Sequence, residues 1–460
     1  MNDFAPGAVS INPANGEMIA RYPFDDDAAM NKGLDQARQG QRAWAATPVA
    51  DRLAFFSRLA QLLRRDIREL GEMAAREMGK PITQAMAEVE KCAVLCDWYA
   101  ANGGPILNDR PTSIGPDAYV SYHPLGTILA VMPWNFPYYQ VARFAAPNLM
   151  LGNTIILKHA SNCPQSALLM EEILRQAGLP DDAYVNVFAT NEQIADMIAD
   201  PRVQGVSLTG SERAGTSVAE TAGRNLKKVV LELGGSDVFI VLDSDDMDAT
   251  VKSATKARLS NAGQACNAAK RFIVTEDFYD DFTNKLATSF ESVTAGDPLD
   301  ESTVLGPLSS QSAADTLIEQ IDDAVSKGAT LLTGGKKIDG PGAYVQPTLL
   351  ADVTPDMRAY SEELFGPAGV VYKVKSASEA VELANSSVYG LSGSVWSSDL
   401  DSARSVAADL DVGMAFVNEH GTTLPGLPFG GVKRSGVGRE LGPWGMDEFV
   451  NKKLLRVSKK

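Results

Sequence analysis

The chain is expected to fold as an α/β protein with two α/β units in series. Its 460 residues exceed what one core holds, since cores stop growing at roughly 250–300 residues, so two or three domains are expected. From residue 154 onward, short Val/Ile/Leu runs alternate with amphipathic stretches, the rhythm of parallel strands joined by crossover helices. A second series of the same kind begins near residue 238.

Element by element, residues 8–22 read as a hairpin around Ala14-Asn15-Gly16-Glu17, an Asn-Gly turn signal. Residues 26–46, 48–78 and 82–102 are rich in Ala, Leu and Arg, with apolar residues three and four apart, which predicts helices. Gly79-Lys80-Pro81 separates the second from the third. Residues 117–131 read as two strands joined at His123-Pro124-Leu125-Gly126. After Trp134-Asn135-Phe136-Pro137, strands are expected at 154–157, 185–188, 206–208 and 229–231, with helices at 164–177, 191–199 and 211–223. The second series has strand 238–241, helix 246–260, strand 271–275 and helices 277–290 and 311–326. Helix 377–385, strand 391–396, helix 399–409 and strand 413–417 complete it. There is no internal repeat and no low-complexity segment.

The formal net charge is −16. That balance argues against nucleic acid or an anionic membrane surface as a partner, because both require clustered Lys and Arg. It leaves the substrate open, because an acidic protein can carry a basic pocket. The four cysteines, Cys92, Cys96, Cys163 and Cys266, show no metal-type clustering, and there are only three histidines, so no metal site is expected. Cys92 and Cys96 share a helix face and read as reduced core thiols. No structural disulfide is expected, which points to a reducing compartment. With no basic segment followed by an apolar run at the N-terminus and no apolar run of about 18 residues, the expected location is cytoplasmic.

The chemistry centres on Cys266, in Asn261-Ala262-Gly263-Gln264-Ala265-Cys266, and on Glu232, in Leu231-Glu232-Leu233-Gly234-Gly235. A thiol attacks as its thiolate, and a carboxylate can serve as its base. The nucleophile lies in the second unit and the base ends the first, which places the chemistry in a cleft between domains. Asn135 offers a side-chain amide to an oxyanion, and such donors are worth roughly 3–4 kcal/mol. Its plainer reading is a cap for a helix opened by Pro137. Gly210-Ser211-Glu212-Arg213-Ala214-Gly215 joins a strand to a helix, a placement that suits a dinucleotide pyrophosphate at helix N-terminal amides, or else is a plain turn. It matches neither the G-x-G-x-x-G nor the Walker A pattern.

Together these segments resemble the aldehyde dehydrogenase superfamily, in order and from about residue 8 to the C-terminus. The resemblance implies a three-part architecture. A Rossmann-like cofactor domain would span 1–111 and 131–235, and an α/β catalytic domain 236–433. A β oligomerisation arm and tail would take 112–130 and 434–460. The tail strand at 453–457 would extend a neighbour's sheet, in a homodimer or homotetramer.

The resemblance also implies that Cys266 forms a thioester with an aldehyde substrate, with Asn135 and the Cys266 N–H as oxyanion donors and Glu232 activating water. Acylating members that pass the thioester to coenzyme A generally lack this base, so hydrolysis is implied. Trp134, Gly210, Ser211, Gly215 and Leu233 fall at the implied cofactor site. Lys158 would contact the adenosine ribose, although taken alone it reads as a surface lysine. Glu363 would hold the nicotinamide ribose and Phe365 would back the ring. Pro428-Phe429-Gly430-Gly431-Val432-Lys433-Arg434-Ser435-Gly436 matches a family segment at the active-site mouth. NAD-preferring members often carry Glu where this chain has Ser161. A carboxylate there would repel a 2′-phosphate by about 4 kcal/mol for unit charges ~4 Å apart at ε ≈ 20. Its absence favours NADP, with NAD possible.

The segment from Trp134 to Arg143 resembles most nearly the NADP-type bacterial succinate-semialdehyde dehydrogenases. Arg143 lies eight residues past Asn135. On a continuous helix that is just over two turns, roughly 12 Å, so its guanidinium is expected to reach the far carboxylate of a four-carbon ω-oxo acid. A helix–helix salt bridge is the plainer reading. Some members carry a second Arg where this chain has Ser260, and many a second Cys where it has Ala268, so no local disulfide is expected. Glu419 would oppose an anionic substrate, and His420 can donate to one. Another ω-oxo acid is an alternative, as is a neutral or aromatic aldehyde among Tyr138 and Tyr139. A catalytically silent protein of the same fold is the remote one.

Overall fold

The computed structural model describes residues 6–458, so the outermost ends of the expected first and last segments lie outside the described residues. Two large sheets carry the architecture. The first has six strands in the order Gly436–Val437, Lys228–Glu232, Val203–Thr209, Thr127–Met132, Thr154–His159 and Tyr184–Asn186. All neighbours are parallel except Gly436–Val437, which runs antiparallel to Lys228–Glu232. The second has seven, ordered Thr330–Thr333, Thr348–Ala351, Ala368–Val374, Ala269–Thr275, Asp237–Val241, Ser392–Trp396 and Met414–Val417. Only Thr330–Thr333 is antiparallel there.

The central strands are apolar without interruption because helices cover both sheet faces. Ile155, Ile156 and Leu157 are fully buried, as are Phe239, Ile240 and Val241. Each sheet has its own packed clusters. Leu233-Gly234-Gly235-Ser236 joins the last parallel strand of the first sheet to Asp237–Val241 of the second, so Glu232 sits at a strand's C-terminal end, facing the neighbouring unit. In open α/β sheets ligands gather at that end.

The structure departs from the sequence reading in several places. The stretch expected as one helix over 48–78 is two, Val49–Arg65 and Ile67–Met78. Asp66 leaves helical geometry between them (φ −102°, ψ 15°), with its carboxylate paired to Arg65. The two strands expected at 117–131 belong to different sheets. Gly115–Pro124 lies between Arg110–Thr112 and Val450–Arg456 in a three-stranded sheet, whereas Thr127–Met132 is central to the six-stranded one. Gly126, at φ +141°, makes the turn between them. The three-stranded sheet therefore ends before residue 127, and Gly436–Val437 pairs with the first large sheet. The tail strand Val450–Arg456 pairs along its length with Gly115–Pro124 of its own chain and forms one edge of that three-stranded sheet. Three strands, Thr330–Thr333, Thr348–Ala351 and Ala368–Val374, stand where the sequence pattern predicts none. No described helix is long and apolar enough to cross a membrane.

Candidate active site

The loop bearing Cys266 is built on unusual backbone. After the helix Met247–Leu259, Asn261 (φ 53°), Ala262 (φ 51°) and Gly263 (φ 75°) are all left-handed. Such residues cost about 1–3 kcal/mol each unless glycine, and persist only where neighbours over-determine them. Here the Asn261 N–H donates to Gln84 Oε1 (2.7 Å), and Asn261 Nδ2 donates to the Asn135 carbonyl (2.9 Å). Gln264 Nε2 returns to the Asn261 carbonyl (3.2 Å), while Gln264 Oε1 accepts from the Ser309 N–H (2.8 Å). A Cβ on Gly263 would run into the Gly366 carbonyl. Lys270, almost fully buried, clamps the far side by donating to the carbonyls of Ala265 (3.0 Å) and Cys266 (2.7 Å).

Asn135 sits in the loop before the helix Tyr139–Leu151 and does not cap it; the cap position is Tyr138. One Asn135 Nδ2 hydrogen donates to the Gln264 carbonyl (3.1 Å), and its Oδ1 is buried without a partner. The loop is pinned from two sides. His159 Nε2 donates to the Pro137 carbonyl (2.9 Å), and burial pushes this imidazole down to about 4, so it stays neutral. Glu88 accepts from the N–H groups of Tyr138 (2.9 Å) and Tyr139 (3.0 Å) while ion-paired to buried Lys80.

Cys266 lines two cavities at once. The larger, about 650 Å³, includes Lys91, Phe136, Tyr139, Arg143, His420 and Phe429. The smaller, about 270 Å³, includes Trp134, Asn135, Gly210, Leu233, Glu363 and Phe365. Burial pushes the Cys266 thiol up to about 12, against the opposing pull of Arg143 and Lys270, so the resting sulfur is protonated. The Cys266 N–H donates to no acceptor among the described residues, which leaves it free for an incoming oxygen.

Glu232 is 2% exposed and lines neither cavity, and neither carboxylate oxygen has a hydrogen-bond partner. Its Oε1 faces Gly430, where a Cβ would stand 2.7 Å away. Burial first, and Glu440 second, hold its carboxyl well above the ordinary range. Arg143 is ion-paired to Glu440, itself raised by burial, and its guanidinium lies 4.1 Å from the Phe429 ring centre. The helix expected to carry both Asn135 and Arg143 starts only at Tyr139, so the two-turn spacing does not apply. Arg143 still reaches the larger cavity, already paired with Glu440. Tyr139 also lines it, whereas Tyr138 is fully buried in the core. Ser260, Ala268, Glu419 and His420 all border it, with Glu419 accepting from Thr422. Burial pushes His420 down to about 4.

The smaller cavity suits a dinucleotide's reactive end. Gly210 and Ser211 stand at the start of the helix Glu212–Arg224, and Ser211 caps it by accepting from the Ala214 N–H (3.4 Å). Thr209 Oγ1, on the same wall, is buried without a partner. A Cβ on Gly234 would stand 2.5 Å from Glu363 Oε2, so this bare backbone lets the carboxylate in. Glu363 faces the cavity, held by the Gly235 N–H (3.1 Å) and Lys270 Nζ (3.0 Å), while Glu362 turns to Arg358. Trp134 and Phe365 meet edge-on at 5.7 Å. Leu233 lines this wall and fills the space beside Gly215. Lys158 is the penultimate residue of the strand Thr154–His159 and Ser161 lies two residues past its end; neither lines this cavity. Lys91, Lys270 and Glu440 escaped the sequence reading. Their spacing marks them only as polar residues on a helix, a strand and a loop.

The aldehyde dehydrogenase family model matches residues 5–455. A succinate-semialdehyde dehydrogenase [NADP(+)] of Deinococcus radiodurans is 52% identical over 449 residues, covering 97% of this chain and 94% of that protein. The Escherichia coli succinate semialdehyde dehydrogenase [NAD(P)+] is 44% identical, covering 97% of both chains. The crystal structure of succinic semialdehyde dehydrogenase from Streptococcus pyogenes in complex with NADP+ superposes at a TM-score of 0.96. It is 44% identical, covering 98% of this chain and all of that one.

Proposed function

The chain belongs to the aldehyde dehydrogenase family, and from that premise we propose that it oxidises succinate semialdehyde to succinate with NADP, NAD being the lesser cofactor. The observation that carries this reading is Cys266 at the junction of two cavities, one bordered by Lys91 and Arg143 and the other by Glu363 and the Gly210 turn.

Gly210, Ser211, Leu233, Glu363, Phe365 and Trp134 would hold the nicotinamide end, and Lys158 and Ser161 the adenosine end. A nicotinamide held there would supply the hydride acceptor for oxidation of the hemithioacetal on Cys266 to a thioester. The chain does the rest. The Cys266 thiol gives its proton to solvent water and its sulfur bonds the aldehyde carbon. The developing oxyanion is received by Asn135 Nδ2 and the Cys266 N–H. Glu232 then takes a proton from water as the hydroxyl attacks the thioester, which releases the acid and returns the thiol. Because Glu232 is buried against Gly430, its side chain turns toward the sulfur for this step.

Asn135→Ala is expected to lower kcat about 10²–10³-fold, the usual loss for one oxyanion donor, with NADP affinity within about twofold by titration. Steady-state kcat/KM for succinate semialdehyde with NADP and with NAD, beside butanal, tests the substrate and cofactor. The acid should lead, with NADP ahead. Equal or better use of butanal would favour a neutral or aromatic aldehyde, a reading that Phe136, Trp396 and Phe429 in the larger cavity support. Homodimeric or homotetrameric assembly is supported by Leu454 and Val457, which stand exposed on the tail. A cytoplasmic, reducing setting is supported by four unpaired cysteines.

A further inference from the structure

Arg143 is the cation that the sequence suggests for a substrate carboxylate, but its charge is already shared with Glu440 and its face is taken by Phe429. A second cation opens on the same cavity. Lys91 is half-buried on the helix Ile82–Ile106, one turn after Glu88. Its Nζ lies over the Tyr139 ring, 4.2 Å from the centre. No carboxylate among the described residues forms an ion pair with it, and the ring is the partner the structure gives its charge. We propose that Lys91 is the specificity-determining residue that binds the distal carboxylate of the substrate, with Arg143 held beside it in a supporting role. This rests on the ω-oxo-acid reading given above.

The surroundings favour an anion. Burial, and after it the Arg143 charge, push the Lys91 ammonium down to about 8. A carboxylate placed between the two cations removes their mutual repulsion and supplies the counter-charge that neither cavity wall offers Lys91. On its own helix, Glu88 is committed to Lys80 and to the Tyr138 and Tyr139 N–H groups. Cys92 is a buried thiol held protonated by burial. From the facing helix come Tyr139 and Arg143, and across the cavity Lys256, Glu419 and His420. Glu419, the one acid among these cavity-lining groups, is engaged by Thr422.

The test compares wild type, Lys91→Met and Lys91→Arg on succinate semialdehyde and on butanal. Lys91→Met should lower kcat/KM for the acid about tenfold or more, through KM, with kcat and butanal turnover within about twofold; Lys91→Arg should keep most of the wild-type value. Because a lysine loses its charge as pH rises through its pKa, KM for the acid should climb above about pH 8 in wild type and stay flat in Lys91→Met. A wild-type preference for the acid that survives in Lys91→Met, or equal losses on both aldehydes, overturns the role of Lys91 alone. A wild type with no preference for the acid overturns the substrate reading and this proposal with it.

Discussion

Cys266→Ala is expected to remove aldehyde oxidation, with kcat falling at least about 10⁴-fold while NADP binding persists. No other residue can replace the sulfur. The remaining cysteines, Cys92, Cys96 and Cys163, are buried in the core, and none lines either cavity. The wall proposed to take the cofactor includes Gly210, Leu233, Glu363 and Phe365, all apart from the thiol in sequence. Calorimetric titration with NADP and a steady-state assay separate the two effects. The wild-type thiol carries its own pH signature. Since burial holds it up to about 12, the thiolate fraction grows with each unit of pH. Iodoacetamide inactivation of the free enzyme should therefore accelerate across pH 7–9 without a plateau.

Glu232→Gln is expected to divide the reaction into a fast first turnover and a slow second. The substitution preserves shape and removes the base. A general base is worth about 10²–10⁴-fold, and that loss should fall on kcat. The first NADPH per site should still appear as a burst, because hydride leaves before water is needed. The pH dependence follows from the raised Glu232 carboxyl. A carboxyl lifted by burial and by Glu440 is protonated below its pKa and becomes a base above it. Wild-type deacylation should therefore rise with pH along a limb displaced above the ordinary carboxyl range, and Glu232→Gln should lack that limb. Stopped-flow absorbance of NADPH reads the burst and the steady state in one trace.

Much of the fold is visible in the sequence because parallel strands buried on both faces leave continuous apolar runs. The strand 154–159 and the strand 237–241 show this directly. The strand Ala368–Val374 is equally central but carries Gly369, Tyr372 and Lys373, which break the run. The separation of Gly115–Pro124 from Thr127–Met132 into two sheets was hidden, because a Pro-Leu-Gly turn reads alike whether it closes a hairpin or passes between sheets.

The site divides along the same physical line. Cys266, Asn135 and Glu232 stand in segments punctuated by Gly, Asn and Pro, whose special backbone needs show in sequence. Asn261 and Gly263 are left-handed in the structure, as such residues are best able to be. The charge balance was not visible. Arg143 meets Glu440 from almost the far end of the chain, and Lys270 meets Glu363 across a domain. Long-range ion pairs leave no local pattern. The helix assumed to join Asn135 to Arg143 failed for a local reason, since Trp134–Tyr138 is held in a turn by His159 and Glu88.

The proposed mechanism turns on a thioester on Cys266 that only Glu232 releases at speed. Its most direct test is rapid acid quench of Glu232→Gln mixed with NADP and succinate semialdehyde, followed by peptide mass spectrometry. One succinyl group on the peptide containing Cys266, in step with one NADPH per site, is the predicted result. A full NADPH burst with no acyl group on Cys266, or with the group on another residue, would contradict the account.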